Sequence, residues 1–385
     1  MEVTRVYLDH QASTPMSCRA LDEMLPAFSE CYANPHSDDH AAGWEAAQRV
    51  EASRTQVADA IGADGEQIVF TSGATESNNL AMLGLVETRR HRSRVVVSAI
   101  EHKSILATAR AIADRGYEVV TIPVDPLGQL DMAALRDAVD ERTLLVSIGF
   151  VNNEIGAVQP MEAISQLCRG AGALLHSDAA QALSWDAVSV DGMGVDLLSL
   201  SAHKAGGPKG IGALYVGPAA ADRLRSIIHG GGQELGLRPG TVPTPLCIGF
   251  GAACNSLPST QQVAAWRAVT VSLLDRLRAL FPDLQVNGAL EPRHPGNLSI
   301  RLPGIDADVL AARLQPGVAV ARGSACTSGL PEPSHVLRAI GLTAGEAGSC
   351  LRLSTSPATT EQEVAFVEAA FAAAIRGMAR APACR

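Results

Sequence analysis

The sequence contains no apolar run that approaches the length of a membrane span, and its N-terminus lacks a basic segment followed by an apolar one. These absences argue against an integral membrane protein and against a secretory signal peptide. Positive charge is not in excess either, because the net charge is −9 at pH 7. We therefore expect a cytoplasmic protein that binds neither nucleic acid directly nor a membrane surface.

Paired cysteines are also lacking. The eight cysteines include no C-x-x-C pair, so a cytoplasmic chain of this length is expected to have neither a disulfide framework nor a metal site. Most of these cysteines are expected to pack as small hydrophobic residues. Cys326 differs, because glycines and serines surround it in "RGSACTSG", and this composition predicts an exposed loop with an accessible thiol.

The length and the pattern of the chain predict two domains, since 385 residues exceed one ordinary core. From residue 15 to 255, short β-branched runs such as "RVVVSAI" alternate with helical stretches such as "KSILATARAIADRG". This alternation predicts an α/β domain whose mainly parallel sheet is flanked by helices. Residues 1–14 and 256–385 contain a long amphipathic helix and shorter strands, which predict a smaller α+β domain carrying the cysteine loop at about 320–332.

Polar residues follow five successive predicted strands of the large domain. In a sheet of this kind, ligands bind beyond the carboxyl ends of the strands. We therefore expect these residues to meet in one site. They are Ser72–Thr75, Glu101–Lys103, Asn152–Glu154, Asp178 with Gln181, and Ser201 with His203 and Lys204.

The residue types at this site point to a cofactor with a phosphate and a ring nitrogen. The turn "TSGAT" before a helix suits a phosphate, although an ordinary capped helix explains that turn better when it is taken alone. Lys204 ends an apolar strand, where a lysine can form a Schiff base. Asp178 also ends an apolar strand, and a protonated pyridine nitrogen is a partner that such a carboxylate needs.

One further residue points to an amino-acid substrate. Arg352 is a lone arginine on an apolar strand, where its planar fork fits a carboxylate. An isolated histidine such as His102 is usually a satisfied polar residue, but in this set it could lie over a flat ring. Ser201 and Lys204 also match the S-x-x-K pattern of serine hydrolases, which we reject because the companion S-D-N and K-T-G motifs are absent. The set as a whole predicts a pyridoxal phosphate enzyme.

Nine motifs carry a resemblance that runs almost end to end. The chain resembles the cysteine desulfurases of the NifS/IscS type, which belong to the fold-type I pyridoxal phosphate enzymes in the class V aminotransferase branch. The motifs are "NPHS", "FTSGATESNNLA", "EHKSIL", "VNNEIGAVQP", "HSDAAQ", "SAHK" with "GPKGIGALYV", "HGGGQE", "RPGT" and "RGSACTSGLPEPSHVLRAIG".

The resemblance implies a role for each candidate residue. Lys204 would hold pyridoxal 5'-phosphate covalently, Asp178 would pair with its ring nitrogen, and His102 would stack on the ring and assist proton transfer. Cys326 would be the nucleophile, with His102 as its acid–base partner. Phosphate binding would fall to Ala74, Thr75, Ser201 and His203, with Thr241 reaching the phosphate of the neighbouring subunit in a homodimer. Gln181 would contact the ring, and Asn153 would contact both the ring and the substrate. Asn34 and Arg352 would bind the substrate carboxylate.

The implied activity converts L-cysteine to L-alanine, and the sulfur passes to Cys326 as a persulfide and then to an acceptor protein. Iron–sulfur cluster assembly, tRNA thiolation and DNA phosphorothioation stay open as pathways. Leu235 and the pair Ala205–Gly206 depart from the residues that the family often has, and these departures favour a specialised sulfur donor. The alternatives are a selenocysteine lyase or transaminase of the same fold, and a non-catalytic scaffold for sulfur or iron–sulfur. Transamination has no use for Cys326, and intact Lys204 argues against a scaffold.

Overall fold

The computed structural model describes residues 5–86, 91–185, 188–322 and 333–379. Cys326 lies outside these residues. The strands within them are β1 (Val6–Tyr7), β2 (Ile68–Thr71), β3 (Arg94–Ser98), β4 (Glu118–Ile122), β5 (Thr143–Ser147), β6 (Leu174–Asp178), β7 (Leu197–Ser201), β8 (Gly212–Val216), β9 (Gln285–Val286), β10 (Asn297–Arg301), β11 (Val318–Ala319) and β12 (Cys350–Ser354).

The helices separate most of these strands along the chain. None of those in the described ranges is both long enough and apolar enough to cross a membrane. They are α1 (Cys18–Met24), α2 (Ala27–Glu30), α3 (Ala41–Asp59), α4 (Ala74–Val86), α5 (Lys103–Ala113), α6 (Met132–Ala138), α7 (Met161–Ala171), α8 (Val190–Met193), α9 (Pro218–Ala221), α10 (Thr244–Cys254), α11 (Thr260–Leu280), α12 (Ala307–Leu314), α13 (His335–Ala339), α14 (Ala344–Ala347) and α15 (Glu361–Ala379).

Seven strands form the principal sheet, in the order β2-β8-β7-β6-β5-β3-β4. Of the seven strands in this sheet, only β8 runs in the opposite direction, because it is antiparallel to both of its neighbours, β2 and β7. The neighbouring pairs from β7 to β4 are all parallel. The predicted α/β class with a mainly parallel sheet is confirmed. Because of this arrangement, β2, β3, β5, β6 and β7 end at the same edge.

Both faces of this sheet are covered, which explains why its strands are apolar throughout. Val96 packs into one hydrophobic cluster, whereas its neighbours Val95 and Val97 pack into another. Side chains alternate between the two faces of a strand. A strand buried on both faces therefore needs an unbroken apolar run, as parallel sheets usually show.

A separate apolar cluster lies around the three-stranded antiparallel sheet β9-β10-β12. It joins residues from the start of the chain, such as Val6 and Leu8, to Leu273 of α11 and Phe371 of α15. The short strand β1 pairs in parallel with β11 and ties the N-terminal segment to this second region. The division into two domains, with boundaries at residues 15 and 255, stays a prediction.

The segment from His229 to Val242 is held to the sheet by a buried carboxylate. Glu234 accepts hydrogen bonds from two nitrogens of Arg54, each at 2.7 Å, and from the backbone N–H of Phe70. Glu234 and Leu235 have positive φ angles of 49° and 58°, a conformation that costs free energy for residues other than glycine. The ion pair with Arg54 therefore holds the segment in a turn that its own sequence does not favour.

Candidate active site

A cavity of about 490 Å³ opens at the edge where the parallel strands end. Polar residues that follow five strands meet there, as the sequence predicts. Ten of the predicted site residues line the cavity: Ala74, Thr75, His102, Asn153, Asp178, Gln181, Ser201, His203, Lys204 and Arg352.

Three predicted residues are not among those that line it. Asn34 is exposed, and its side-chain oxygen accepts a hydrogen bond from the backbone N–H of His36 at 3.0 Å. Thr241 is exposed as well, which leaves its predicted contact with a neighbouring subunit as a prediction. Cys326 lies outside the described residues, so its role also stays a prediction.

The N-terminus of α4 forms one wall of the cavity. The backbone N–H groups of Ala74 and Thr75 have no acceptor among the described residues, and such unpaired groups attract anions. Gly73, directly before them, has a φ of 147°. A Cβ on Gly212 would lie only 2.6 Å from the Cα of Gly73. Glycine is therefore required where this turn passes β8.

Glu76, in the first turn of α4, holds the same turn in place through hydrogen bonds. Its carboxylate accepts a hydrogen bond from the N–H of Ser72 at 2.7 Å and one from Nε of Arg238 at 3.0 Å. Burial alone would raise the pKa of Glu76, but the bonds from Ser72 and Arg238 outweigh it and lower that pKa. The carboxylate is thus charged, and it links the turn before α4 to the segment that contains Arg238.

Lys204 comes after β7, in a single helical turn, and its amine points toward the N-terminal segment. The Nζ atom donates hydrogen bonds to the carbonyl oxygens of Gln11 at 2.7 Å and of Ala12 at 3.2 Å. These two acceptors fix the direction in which the amine points. The arrangement gives Lys204 a place to hold a proton at the cavity wall.

Asp178 ends β6 and keeps its carboxylate partly exposed in the cavity. One oxygen accepts a hydrogen bond from Asn78 Nδ2 at 2.7 Å, and the other accepts one from the N–H of Ala180 at 2.9 Å. No salt bridge to Asp178 occurs in the part of the chain that the structure describes. A carboxylate so placed can receive a cationic N–H from a ligand.

A chain of hydrogen bonds runs from Asp178 to His102. Asn78 Nδ2 donates to Asp178 and to Ser104 Oγ, the latter at 2.9 Å. Ser104 Oγ is thus free to donate its own proton to Nδ1 of His102, 2.7 Å away, and the N–H of Ser104 also donates to that nitrogen. With Nδ1 accepting both bonds, a neutral His102 carries its proton on Nε2.

The surroundings of His102 keep it neutral. The pKa of His102 is lowered because protein atoms displace water from the ring, and the charges of Lys204 and His335 act in the same direction. Asp178 opposes this effect. The histidine is therefore a donor at Nε2 near neutral pH.

Glu101 is a buried acid beside the cavity. Oε1 accepts a hydrogen bond from the N–H of Gly149 at 2.8 Å, and Oε2 has no partner among the described residues. Burial raises the pKa of Glu101 to about 8, and the nearby charge of Asp178 adds to the rise. The carboxyl therefore holds a proton at neutral pH.

Arg352 lies on β12 and faces the cavity from the opposite side. Its Nη1 donates to the carbonyl of Asn153 at 2.9 Å, and its Nη2 pairs with Asp9 at 2.7 Å. The Nε atom is buried without a partner in the described ranges. The guanidinium is thus held in place while part of its hydrogen-bonding capacity is left unused.

Sequence reasoning did not assign roles to Gln11, Asn78, Glu154 and His335, yet all of them lie in or directly behind the cavity. Gln11 accepts hydrogen bonds at its carbonyl from Lys204 and from Nε2 of Gln181. Asn78 was detectable as a polar residue within the apolar helix "NNLAMLGLV". Glu154 belongs to the polar run that follows a predicted strand, whereas Gln11 and His335 have no local signal, because their positions depend on contacts between distant parts of the chain.

Comparison with known proteins agrees with this geometry. The family model described as aminotransferase class-V matches residues 6–367. A Dictyostelium discoideum protein named "Probable cysteine desulfurase, mitochondrial" is 42% identical over 364 residues, 94% of this chain and 81% of that protein. "Cysteine desulfurase IscS" of Rickettsia akari is 40% identical over 94% of this chain and 88% of its own length.

Solved structures show the same similarity. A structure titled "NIFS-LIKE PROTEIN" superposes with a TM-score of 0.90 at 33% identity, covering 97% of this chain and 100% of that one. A structure titled "SspA in complex with cysteine" gives a TM-score of 0.81 at 36% identity, covering 92% of this chain and 99% of that one. The fold and cavity define a protein of the fold-type I class. The chain belongs to the class-V aminotransferase family, in its group of cysteine desulfurases.

Proposed function

We propose that the protein converts L-cysteine to L-alanine and transfers the sulfur to Cys326 and then to an acceptor protein. The observation that carries this proposal is the single cavity in which the α4 N-terminus, Lys204, Asp178 and Arg352 converge. Its relatives are named cysteine desulfurases, and one structural neighbour is titled as a complex with cysteine. The acceptor and the pathway stay open.

The residues of the cavity fit pyridoxal 5'-phosphate, on which the family depends. The unpaired N–H groups of Ala74 and Thr75 suit its phosphate, and the Asp178 carboxylate, which lacks a salt bridge in the described ranges, suits its ring nitrogen. Lys204 would hold its aldehyde carbon. The other residues that would hold the cofactor are Ser201 and His203 at the phosphate, Gln181, Asn153 and His102 at the ring, and Thr241 from the neighbouring subunit.

Lys204 is the residue that would remove the Cα proton of the substrate. When bound, the cofactor would supply an electron sink for the charge that this removal leaves on the substrate. The carbonyls of Gln11 and Ala12 give the protonated Nζ two acceptors. Lys204 can therefore hold the proton at Nζ until the product needs it.

Arg352 would bind the substrate carboxylate, together with Asn34. The contacts of Arg352 to Asp9 and to the carbonyl of Asn153 fix the orientation of the guanidinium before a substrate arrives. Such preorganisation reduces the entropy that binding costs.

The sulfur step needs a nucleophile, and the resemblance assigns this role to Cys326. Its thiolate would attack the substrate sulfur, so that an S–S bond forms while the Cβ–S bond breaks. The sulfur then stays on Cys326 as a persulfide, and the carbon framework takes up protons to leave as alanine.

Two further features of the proposal concern assembly and location. We expect a homodimer, because large apolar side chains of the N-terminal helices and the loops beside them are exposed, among them Leu25, Phe28, Tyr32 and Trp44. The predicted location is the cytoplasm, where thiols stay reduced.

Incubating the purified protein with pyridoxal phosphate and L-cysteine, and quantifying alanine and sulfide, tests the function. Cys326→Ser should abolish alanine formation, while Cys18→Ser, at an exposed cysteine elsewhere in the chain, should leave it intact. Absence of alanine from wild-type protein with bound cofactor would refute the proposal. Equal activity of the two variants would refute the role of Cys326.

A further inference from the structure

Asn78 lies in α4, and its carboxamide is completely buried. A buried amide costs free energy unless its polar atoms find partners. The amide nitrogen finds two, since Nδ2 lies 2.7 Å from a carboxylate oxygen of Asp178 and 2.9 Å from the hydroxyl oxygen of Ser104. Asn78 is not among the described residues that line the cavity. It therefore lies behind the cavity wall and joins two elements of that wall, the end of β6 and the start of α5.

The charge of Asp178 sets the orientation of this amide. An ionised carboxylate only accepts hydrogen bonds, so Nδ2 rather than Oδ1 of Asn78 must face it. Oδ1 of Asn78 has no partner in the described ranges. The hydroxyl of Ser104 imposes no orientation, because a hydroxyl can either donate or accept. Within the described ranges, the amide is therefore oriented by Asp178.

The orientation of the amide in turn fixes the direction of the next hydrogen bond. Ser104 Oγ accepts from Asn78, so its single hydrogen is left for Nδ1 of His102, 2.7 Å away. The backbone N–H of Ser104 donates to the same ring nitrogen at 3.2 Å. The donors thus follow one another in a single direction, from the amide through the hydroxyl to His102.

Removing the charge of Asp178 would reverse this direction. An amide at that position would keep its oxygen toward the N–H of Ala180, which now donates to the carboxylate at 2.9 Å, and would turn its nitrogen toward Asn78. Asn78 would then have to present Oδ1 to this nitrogen and to Ser104. The hydroxyl hydrogen of Ser104 would be drawn to Oδ1, and Nδ1 of His102 would lose one of its two donors.

We propose that Asn78 is a positioning residue that couples the charge of Asp178 to the hydrogen bond between Ser104 and His102. Its catalytic importance rests on the proposed function, in which Asp178 pairs with the ring nitrogen of the cofactor and His102 stacks on the ring. One buried amide then sets two groups that act on the same ring. Asn78 acts only through Asp178 and Ser104.

The coupling can be measured at the histidine ring itself. Long-range ¹⁵N–¹H correlations of histidine-labelled protein, saturated with pyridoxal phosphate, report the Nδ1 resonance of His102, which His102→Gln assigns. In wild type, Nδ1 should be unprotonated and hydrogen-bonded. Both Asn78→Leu and Asp178→Asn should move its resonance toward that of an unbonded imidazole nitrogen, because each variant removes the reason for Ser104 to donate there.

Asn255→Asp, at an exposed asparagine, is the control and should leave the resonance of His102 unchanged. If Asn78→Leu fails to fold, Asp178→Asn still tests the coupling, because that variant preserves the size and shape of the side chain. A resonance of His102 that stays at its wild-type position in Asp178→Asn would overturn the proposal. So would a protonated Nδ1 on neutral His102 of the wild-type protein.

Steady-state kinetics test whether the coupling matters for turnover. Because Asn78→Leu removes a hydrogen bond to a charged group, kcat/KM for L-cysteine should fall about 10-fold or more. Ser104→Ala should also lower kcat/KM, but by a smaller factor in the Asn78→Leu background than in wild type, since residues of one network are not additive. Equal factors in the two backgrounds, within about 2-fold, would show that the residues act independently and would contradict the proposal.

Failure of the proposed function is distinguishable from failure of this inference. A wild-type protein that binds the cofactor but makes no alanine, while the resonance of His102 responds to Asp178→Asn as expected, would refute only the proposed function. A wild-type protein that makes alanine, while that resonance does not respond, would refute only the coupling through Asn78.

Discussion

The two walls of the cavity are built in different ways. On the sheet wall, Asp178 and Lys204 each follow a buried strand, and hydrogen bonds to nearby elements hold them. On the opposite wall, Arg352 comes from β12 in the second region and His335 comes from α13. Hydrogen bonds to Asn153 and Glu101 join these two residues to the sheet side. Under the proposed function, the sheet wall would hold the cofactor, whereas the opposite wall would position the substrate.

Asp178→Asn would break the sheet wall with the largest effect. The amide is neutral, so it cannot stabilise a protonated ring nitrogen, and we expect kcat/KM for L-cysteine to fall by about 100- to 1,000-fold, as for the loss of other preorganised electrostatic groups. Steady-state kinetics of alanine formation measure this fall in kcat/KM. Asp222→Asn, at an exposed aspartate, is the control, and a loss below 10-fold would show that the carboxylate charge is dispensable.

Arg352→Gln tests the opposite wall, where we expect a change in KM rather than in cofactor binding. Hydrogen bonds to a charged group contribute about 1.5–3 kcal/mol, so KM should rise about 10- to 100-fold. The cofactor absorbance should stay unchanged. Arg301→Gln, on the adjacent strand β10 and bonded to Glu346, is the matched control. An unchanged KM in Arg352→Gln would exclude the guanidinium as the carboxylate site.

Glu101→Gln tests the residue whose backbone carbonyl contacts His335 across the two walls. Of the three substitutions, this one should have the smallest effect. Because the pKa of Glu101 rises from 4.5 to about 8 on folding, the folded state holds more protons than the unfolded state between these values. Wild-type stability therefore falls as the pH rises through this window. Because glutamine mimics the protonated acid, the stability of Glu101→Gln should not fall as the pH rises through this window.

Thermal unfolding at pH 5, 6.5 and 8 measures this effect. The midpoint of Glu101→Gln should exceed that of wild type by about 2 °C or more at pH 8, with a smaller difference at pH 5. Glu141→Gln, at an exposed glutamate, should show no such trend. A constant difference at all three pH values would mean that Glu101 does not titrate in this range.

The sheet wall could be predicted from the sequence because its signals are local. An apolar run followed by Asp178 or Lys204 places the side chain at a strand end once the sheet is parallel. The opposite wall could be predicted only in part. Arg352 has a local signal as a lone charge on an apolar strand, but the places of Gln11 and His335 at the cavity depend on hydrogen bonds to residues 170 and 234 positions away.

The double use of Glu76 has a thermodynamic consequence. One carboxylate accepts both the N–H of Ser72, in the turn that faces the cavity, and Nε of Arg238, in the segment from His229 to Val242. An event that orders this segment therefore also orders the turn. Because linkage is reciprocal, an anion bound at the turn must stabilise the segment by the same free energy.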